Sequence, residues 1–229
     1  MPPTCYCCDR QATSAEHVPP KCLFPAAKDS PDGVDLRRNL ITVPSCDLHN
    51  LEKSGDDEYV LYVLSMAAPS GAGGHRHFAS KVSRAIERRP ALARSFLAKS
   101  KEFDVVQEGG ASGEVAMAVQ EDGARLQRSL ELIALGLYRH HTGERWRGRL
   151  KVVPEFMHFI EEDKAEEWNR IYQDTSRDAD QLFLKAPLHG ENASIFRYQI
   201  VIPEPNQPCG IRMHFYDDTR VTALLLTDG

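Results

Sequence analysis

Hydrophobic residues recur along much of the chain at three- and four-residue intervals, which is the period of an amphipathic helix. The clearest stretch runs from about residue 121 to 141, where leucine, isoleucine and tyrosine share one helical face. The chain also predicts helices at about 47–67, 76–100 and 161–174. Gly55 and Pro90 are the points at which the first two of these helices would break. The pattern therefore predicts four helical segments.

Short runs rich in β-branched and aromatic residues predict strands between these helices. They are RNLITV at 38–43, EVAMAV at 114–119, FRYQIVI at 196–202 and GIRMHFYDDTRVTALLL at 210–226. The last run is long enough for two strands, and its DDT sequence favours a hairpin turn. Helices and strands are mixed without a regular alternation, so we expect an α+β fold.

A glycine-rich segment, APSGAGG at 68–74, is the strongest linker signal in the chain. The residues before residue 45 are rich in proline, cysteine and polar side chains and show little periodicity. We therefore expect two domains, a small N-terminal module at 1–67 and a mixed α/β accessory domain at 75–229.

The overall charge is weakly acidic, −5 over 229 residues, but basic residues are concentrated in two segments. Residues 76–101 carry eight lysines and arginines against one acid, and residues 125–151 carry seven against two. Local patches of this kind can contact phosphates even when the whole chain is acidic, although solvated helix faces have the same composition. No apolar run approaches the roughly 20 residues of a membrane span, and the N-terminus lacks a signal-peptide pattern. We expect a cytoplasmic protein with no membrane contact.

Cysteines are concentrated near the N-terminus, with five of the six in the first 46 residues. Cys5 and Cys8 have C-x-x-C spacing, and Cys46 and His49 repeat that spacing as C-x-x-H. Clustered cysteines in a cytoplasmic chain favour metal binding over disulfides, and three thiolates with one imidazole are typical of structural zinc sites. Cys7 is an alternative to Cys8, but the two-residue spacer of Cys8 suits chelation from a single turn. The sequence thus predicts a structural Zn²⁺ ion.

The order of residues around this predicted zinc site resembles the HNH endonucleases. The pattern consists of Cys-x-x-Cys, Glu16-His17-x-x-Pro, Asn39-Leu, and Cys-x-x-His-Asn50-x-x-Lys53. The resemblance covers roughly residues 5–60 and rests on the ordered set, because no single piece is unique. It implies a ββα-metal fold, in which a β-hairpin packs against one helix.

The resemblance also implies a role for each of these residues. His17 would be the general base that activates water, and Glu16 would ligate a catalytic divalent cation. Asn39 would brace the loop or the imidazole. Asn50 would be the second cation ligand, where many relatives have histidine, and Lys53 would meet a phosphate one turn later. The expected partner is DNA, bound through its backbone phosphates.

The chemistry of phosphodiester hydrolysis fits these residue types. A histidine with a pKa near ~6.5 can accept a proton from water at neutral pH. Carboxylate and amide oxygens from Glu16 and Asn50 suit Mg²⁺ or Mn²⁺, which stabilises charge on the phosphate and the leaving oxygen. The leading hypothesis is therefore a metal-dependent endonuclease that hydrolyses DNA.

Two other interpretations are compatible with the same residues. The chain could be a zinc-stabilised module that binds nucleic acid or protein and has an inactive nuclease centre, since Glu16 and Asn50 depart from the commonest family residues. A weaker alternative is a redox or zinc-sensing regulator that uses Cys7 and Cys22. Under any of these interpretations, the C-terminal region is expected to choose the DNA structure, to bind a protein partner or a second copy of the chain, or to gate the nuclease.

Overall fold

The structure is a computed structural model. It describes residues 3–30, 33–50, 54–67, 69, 71–88, 100–106, 112–119, 122–160, 163–202 and 209–227. The described part contains helices and antiparallel sheets, so the expected α+β class is confirmed. The predicted helix at 76–100 lies partly outside the described residues.

The N-terminal part has the order strand, strand, helix. Strand β1 (Ser14–His17) pairs antiparallel with β2 (Thr42–Ser45), with Glu16 opposite Val43 and His17 opposite Thr42. Helix α1 (Asp47–Asn50) follows β2 directly. Two short 3-10 helices, Lys21–Leu23 and Ala27–Asp29, lie in the connection between the strands.

Strand β2 begins later than the sequence predicted, at Thr42 rather than at residue 38. Asn39 has a φ of 52°, in the left-handed region, so its backbone cannot continue a strand. Asparagine tolerates this conformation better than most residues, because its short polar side chain can hydrogen-bond locally. Residues 36–39 therefore form a turn, and residues 40 and 41 connect it to β2.

Two further helices follow α1. Helix α2 is Ser54–Met66, and residues 51–53 between it and α1 are outside the described part of the chain. Helix α3 is Gly71–Arg88, so it begins inside the predicted linker at 68–74 and shortens it. Gly71 has a φ of 59°, and a Cβ there would lie 2.6 Å from the Asp217 carboxylate, which explains the glycine.

A two-stranded antiparallel sheet precedes the longest helix. It consists of β3 (Ser100–Val106) and β4 (Ser112–Val119), which confirms the predicted strand at 114–119. Helix α4 (Gly123–Thr142) confirms the predicted helix at 121–141. Its first turn is capped by Asp122, whose side chain accepts a hydrogen bond from the backbone N–H of Arg125. It ends at Gly143, which has a left-handed φ of 74°.

The C-terminal part is a four-stranded antiparallel sheet with one helix against it. The elements are β5 (Arg149–Pro154), α5 (Ala165–Phe183), β6 (Phe196–Val201), β7 (Cys209–Phe215) and β8 (Thr219–Leu226). The strand order is β5-β8-β7-β6. The predicted hairpin is confirmed as β7 and β8. Strand β5 was not predicted, because arginine and lysine interrupt its apolar residues.

One buried ion pair lies where the sheet meets α5. Arg212, on the central strand β7, donates hydrogen bonds to both carboxylate oxygens of Glu155, at 3.0 and 2.6 Å. Glu155 also accepts from Thr222 at 2.7 Å and from Ser176 on α5 at 2.5 Å. Every oxygen of this buried carboxylate is therefore satisfied, which is the condition under which a buried pair is tolerated.

The hydrophobic core is continuous from the N-terminal ribbon to the C-terminal sheet. Val18 follows β1 and packs against Gly136 of α4, where an added Cβ would lie 2.6 Å from a Val18 methyl group. The Tyr216 hydroxyl, after β7, donates to the carbonyl of Leu23 at 2.7 Å. The division into domains at 1–67 and 75–229 stays a prediction, but side chains from both segments share this core.

A helix that crosses a bilayer must be both long and predominantly apolar. None of the helices in the described part of the chain combines these two properties.

Candidate metal centre

Four ligand-type side chains meet near the N-terminus. The Sγ atoms of Cys5, Cys8 and Cys46 and a ring nitrogen of His49 all lie within 4.8 Å of one another. The two sulfurs of Cys8 and Cys46 are 3.7 Å apart, and His49 Nδ1 lies 3.3 Å from the Cys46 sulfur and 3.6 Å from the Cys5 sulfur. Tetrahedral zinc with its usual bond lengths would place two sulfurs about 3.8 Å apart and a sulfur and a nitrogen about 3.5 Å apart. The cluster therefore has the dimensions of a tetrahedral zinc site and could bind a zinc ion.

Two tight turns bring these side chains together. Residues 5–10 form the first turn, which we name the zinc knuckle, and the backbone N–H of Cys5 donates to the carbonyl of Arg10 at 2.9 Å. The second turn is the start of α1, where the N–H of His49 donates to the carbonyl of Cys46 at 3.0 Å. The two turns are joined by a backbone hydrogen bond from Tyr6 to Pro44 of β2 at 2.8 Å. The ribbon thus sets the distance between the two ligand pairs.

Backbone hydrogen bonds favour the thiolate form at one ligand. Burial opposes ionisation of Cys5, but backbone N–H groups of Cys7, Cys46 and Cys8 outweigh burial and lower the pKa of the Cys5 thiol. The Cys7 N–H lies 3.5 Å from the Cys5 sulfur. Because metal binding requires the thiolate, this arrangement assists a cation at the cluster.

Cys8 rather than Cys7 belongs to the cluster, in agreement with the preferred spacing. The thiol of Cys7 is half-buried nearby, and burial raises its pKa to about 11. No disulfide joins Cys5, Cys8 or Cys46. Cys7 therefore stays a protonated neighbour of the site.

Strand β1 presents the predicted catalytic dipeptide. Glu16 is buried, with 7% of its surface exposed, and lies opposite the buried Val43. His17 is half-buried, and successive side chains of a strand point to opposite faces. Glu16 therefore faces the core, whereas His17 faces the more open side of the ribbon. Burial, with a contribution from the charge of Lys21, lowers the pKa of the His17 imidazole.

Asn50 lies at the end of α1, beside the ribbon face that carries Glu16. Its amide nitrogen donates to the Ser14 hydroxyl at 2.7 Å, and Ser14 and Glu16 share a face because they are two residues apart. The hydrogen bond leaves the amide oxygen of Asn50 as the atom available for a cation. No hydrogen bond joins His17 to Asn39 or Asn50 among the described residues.

Asn39 is held by the C-terminal region instead of by the imidazole. Its amide nitrogen donates to the Glu191 carboxylate at 2.6 Å. Asn192, the residue after Glu191, donates to the Arg38 carbonyl at 3.3 Å. The loop that bears Asn39 is therefore fixed from outside the N-terminal segment. The prediction for Lys53 lies outside the described residues.

Tyr6 is a buried polar residue of the site that sequence reasoning missed. Its ring centre lies 6.4 Å from that of His49, and its hydroxyl has no hydrogen-bond partner among the described residues. Burial, reinforced by nearby Cys7 and Glu16, raises its pKa, so the phenol stays neutral. The only sequence signal was its position inside the cysteine cluster.

The candidate metal centre thus consists of Cys5, Cys8, Cys46 and His49, contributed by the knuckle and by the start of α1, and Glu16 lies on the adjoining ribbon. Comparison of the chain with protein-family models, with curated proteins and with solved structures found no match. The chemistry open to the site follows from its donor atoms, which are sulfur and nitrogen at the cluster and oxygen at the ribbon.

Proposed function

We propose that this protein is a metal-dependent endonuclease of the HNH kind that hydrolyses phosphodiester bonds in DNA. In this proposal the Cys₃His cluster holds a structural zinc ion. Glu16 and Asn50 supply oxygen ligands to a catalytic Mg²⁺ or Mn²⁺ ion, and His17 is the general base. The reduced cysteines fit a cytoplasmic location, where thiols are kept from forming disulfides.

The observation that carries the proposal is the arrangement of strand, strand and helix around the Cys/His cluster. The helix residue that directly follows the last cluster ligand, Asn50, hydrogen-bonds to the ribbon at Ser14. Ser14 is two residues before Glu16 on β1, so the Asn50 side chain lies at the ribbon face that carries Glu16. The same order of elements and residues is what the resemblance to HNH endonucleases implied.

The donor set near Glu16 supports a hard cation. A buried carboxylate and an amide oxygen are oxygen ligands, which Mg²⁺ and Mn²⁺ prefer to sulfur. When bound, such a cation would stabilise the negative charge on the phosphate and on the leaving oxygen. The thiolates of the neighbouring cluster select zinc instead, so the two kinds of site discriminate between metals by ligand chemistry.

The environment of His17 supports its role as a base. Burial lowers the pKa of the imidazole, so the ring is neutral at pH 7 and can accept a proton. During hydrolysis His17 would take a proton from water as the water oxygen bonds to phosphorus. The bond from phosphorus to the leaving oxygen breaks, and that oxygen gains a proton from solvent.

A second candidate is a zinc-stabilised nucleic-acid or protein binding module without nuclease activity. It is favoured by the alternation along β1, which directs Glu16 and His17 to opposite faces of a regular strand. Asn39, which donates to Glu191, also makes no hydrogen bond to the imidazole. The two candidates differ in one measurable property, namely hydrolysis.

Nicking of supercoiled plasmid by the full-length chain tests the proposal. With Mg²⁺ or Mn²⁺ present, we expect His17→Ala to lower the rate by about 100-fold or more, the usual contribution of a general base. His140→Ala is the matched control, because His140 is an exposed histidine at the end of α4, and this variant should nick at the wild-type rate. Both variants should keep the wild-type zinc content.

Equal nicking rates for wild type and His17→Ala would remove His17 as the base. Absence of nicking by the wild type, together with binding of the same DNA, would favour the second candidate.

A further inference from the structure

An exposed arginine-rich segment of the C-terminal region lies against the zinc knuckle. Residues 145–149, here named the arginine arm, connect α4 to β5. Arg145 donates to the Asp9 carboxylate at 2.7 Å, and one of its N–H groups reaches the Cys7 carbonyl at 3.5 Å. Arg147 contacts the same Asp9 oxygen at 3.3 Å. The arm is thus attached to the knuckle at two places.

Packing fixes the path of the arm. The Trp146 ring packs edge-on against Tyr138 of α4, with ring centres 5.2 Å apart, and its N–H donates to the Arg149 carbonyl at 3.1 Å. Gly148 lies so close to the end of β8 that an added Cβ would overlap the Leu226 carbonyl oxygen. Arg145 and Arg147, two residues apart, are therefore held toward the same side.

Basic residues lie in and next to the knuckle. Arg10 is part of it, Arg145 and Arg147 contact its Asp9, and Arg128 is exposed on α4, whose acid Glu131 and the following Glu144 offset part of this charge. The guanidinium groups of Arg128 and Arg145 are close enough to Cys7 to act on the charge of its thiol. Glu131 also accepts a hydrogen bond from Gln127 at 3.0 Å.

Arg147 is an exposed cation of this surface. Its side chain is 72% exposed and Asp9 is 74% exposed, so water screens their pairing, whereas Arg145 is only 15% exposed. A guanidinium has five N–H donors in a planar fork that matches phosphate oxygens. One contact to Asp9 leaves most of the donors of Arg147 directed to solvent.

The surface lies close to the proposed catalytic strand. Arg128 and Gly136 are both on α4, eight residues apart, which corresponds to about 12 Å along the helix axis. Gly136 packs against Val18, the residue after His17.

We propose that the arginine arm, Arg128 and the zinc knuckle form one binding surface for the phosphate backbone of DNA, separate from the residues proposed to cleave it. This inference rests on the proposed nuclease function and assigns a second, separate contact to it. Guanidinium groups form bidentate contacts with phosphate oxygens, so the surface is assigned to the DNA backbone.

The test is binding of a fluorescent 20-base-pair duplex to the full-length protein, measured by anisotropy without added divalent cation. In the double variant Arg128→Ala/Arg147→Ala we expect at least about tenfold weaker binding near 0.1 M salt. The slope of log affinity against log salt concentration should also fall by about two, since each lost phosphate contact removes roughly one from it. Zinc content and thermal unfolding should match the wild type.

The matched control is Arg170→Ala/Arg177→Ala on α5, which also removes two charges, one of them 73% exposed. This control should bind like the wild type. Equal weakening in both double variants would mean that only net charge matters and would overturn the surface. The surface is also overturned if the test variant binds DNA as tightly as the wild type, or if the wild type does not bind DNA.

The binding assay and the nicking assay separate the two proposals. Weakened binding in Arg128→Ala/Arg147→Ala, with no nicking by the wild type, would support the surface and refute the nuclease. If that variant binds DNA as tightly as the wild type and nicking depends on His17, the surface would be refuted and the nuclease supported.

Discussion

At the scale of single residues, His214 is a half-buried histidine near the end of β7 whose two ring nitrogens are both buried. Neither ring nitrogen has a hydrogen-bond partner among the described residues, and Nδ1 lies 4.0 Å from the Asp218 carboxylate. Burial, followed by the charges of Arg197 and Arg212, lowers the pKa of His214 to about 4 against the opposing effect of Asp218 and Glu155. The folded protein therefore holds this imidazole neutral.

This histidine should make the protein less stable in mild acid. The unfolded chain takes up the proton near pH 6.5 and the folded chain only near pH 4, so acidification between these values favours unfolding. Stability supplied by the neutral imidazole is present above pH 6.5 and falls by about 2–3 kcal/mol by pH 4.5. Urea unfolding at pH 7 and pH 4.5 measures this loss.

The variant His214→Gln isolates the effect, because its amide does not titrate. Its free energy of unfolding should fall less between the two pH values than that of the wild type. An identical fall in both proteins would show that other groups cause the acid sensitivity.

At the scale of elements, α4 shows what hydrophobic patterning can and cannot predict. Its apolar period defined the helix correctly, because all the required information is local. The contact of Gly136 with Val18 was not predictable, since it depends on how the helix and the ribbon approach each other. Strand β5 was missed for a similar reason: its pairing with β8 compensates for its charged residues.

The close approach at Gly136 makes a sharp mutational test. Gly136→Ala would place a Cβ 2.6 Å from a Val18 methyl group, so helix and ribbon must separate. Overpacking of this kind typically costs about 1–3 kcal/mol of stability. Because Val18 adjoins His17, nicking should fall as well. Chemical denaturation and the plasmid assay give the two readouts.

Gly123→Ala is the control on the same helix, because an added Cβ there meets no atom within 4 Å. Alanine is the better helix former, so this variant should be at least as stable as the wild type. Equal destabilisation by both substitutions would contradict the proposed steric cause.

At the scale of the whole molecule, the N-terminal and C-terminal segments form one core and also share polar contacts. Cys/His spacing in the sequence was sufficient to predict the four ligands, because each pair is local. The partner of Asn39, Glu191, is 152 residues away, and no motif marks it. Spacing along the chain therefore predicts the metal ligands but not the C-terminal residues that surround the proposed catalytic loop.

Loss of zinc should consequently weaken the entire chain. Cys8→Ser removes one ligand, and we expect it to lower the zinc content from one ion per chain and to lower the melting temperature, since zinc contributes on the order of 10 kcal/mol to such folds. Cys7→Ser changes a half-buried neighbour outside the cluster and should keep its zinc. Elemental analysis and thermal denaturation measure both variants.

The outcome that would contradict this assignment is the reverse pattern, with zinc lost in Cys7→Ser and kept in Cys8→Ser.

The packing of Val18 on Gly136 also has a consequence for synthesis on the ribosome. The cluster ligands are complete once residue 49 has emerged, so the nascent chain can take up zinc early. Gly136, which covers Val18, is translated 87 residues after His49, and at roughly 5–20 residues per second this is a delay of about 4–17 s. Throughout that interval the growing polypeptide would carry a complete set of zinc ligands next to an uncovered valine.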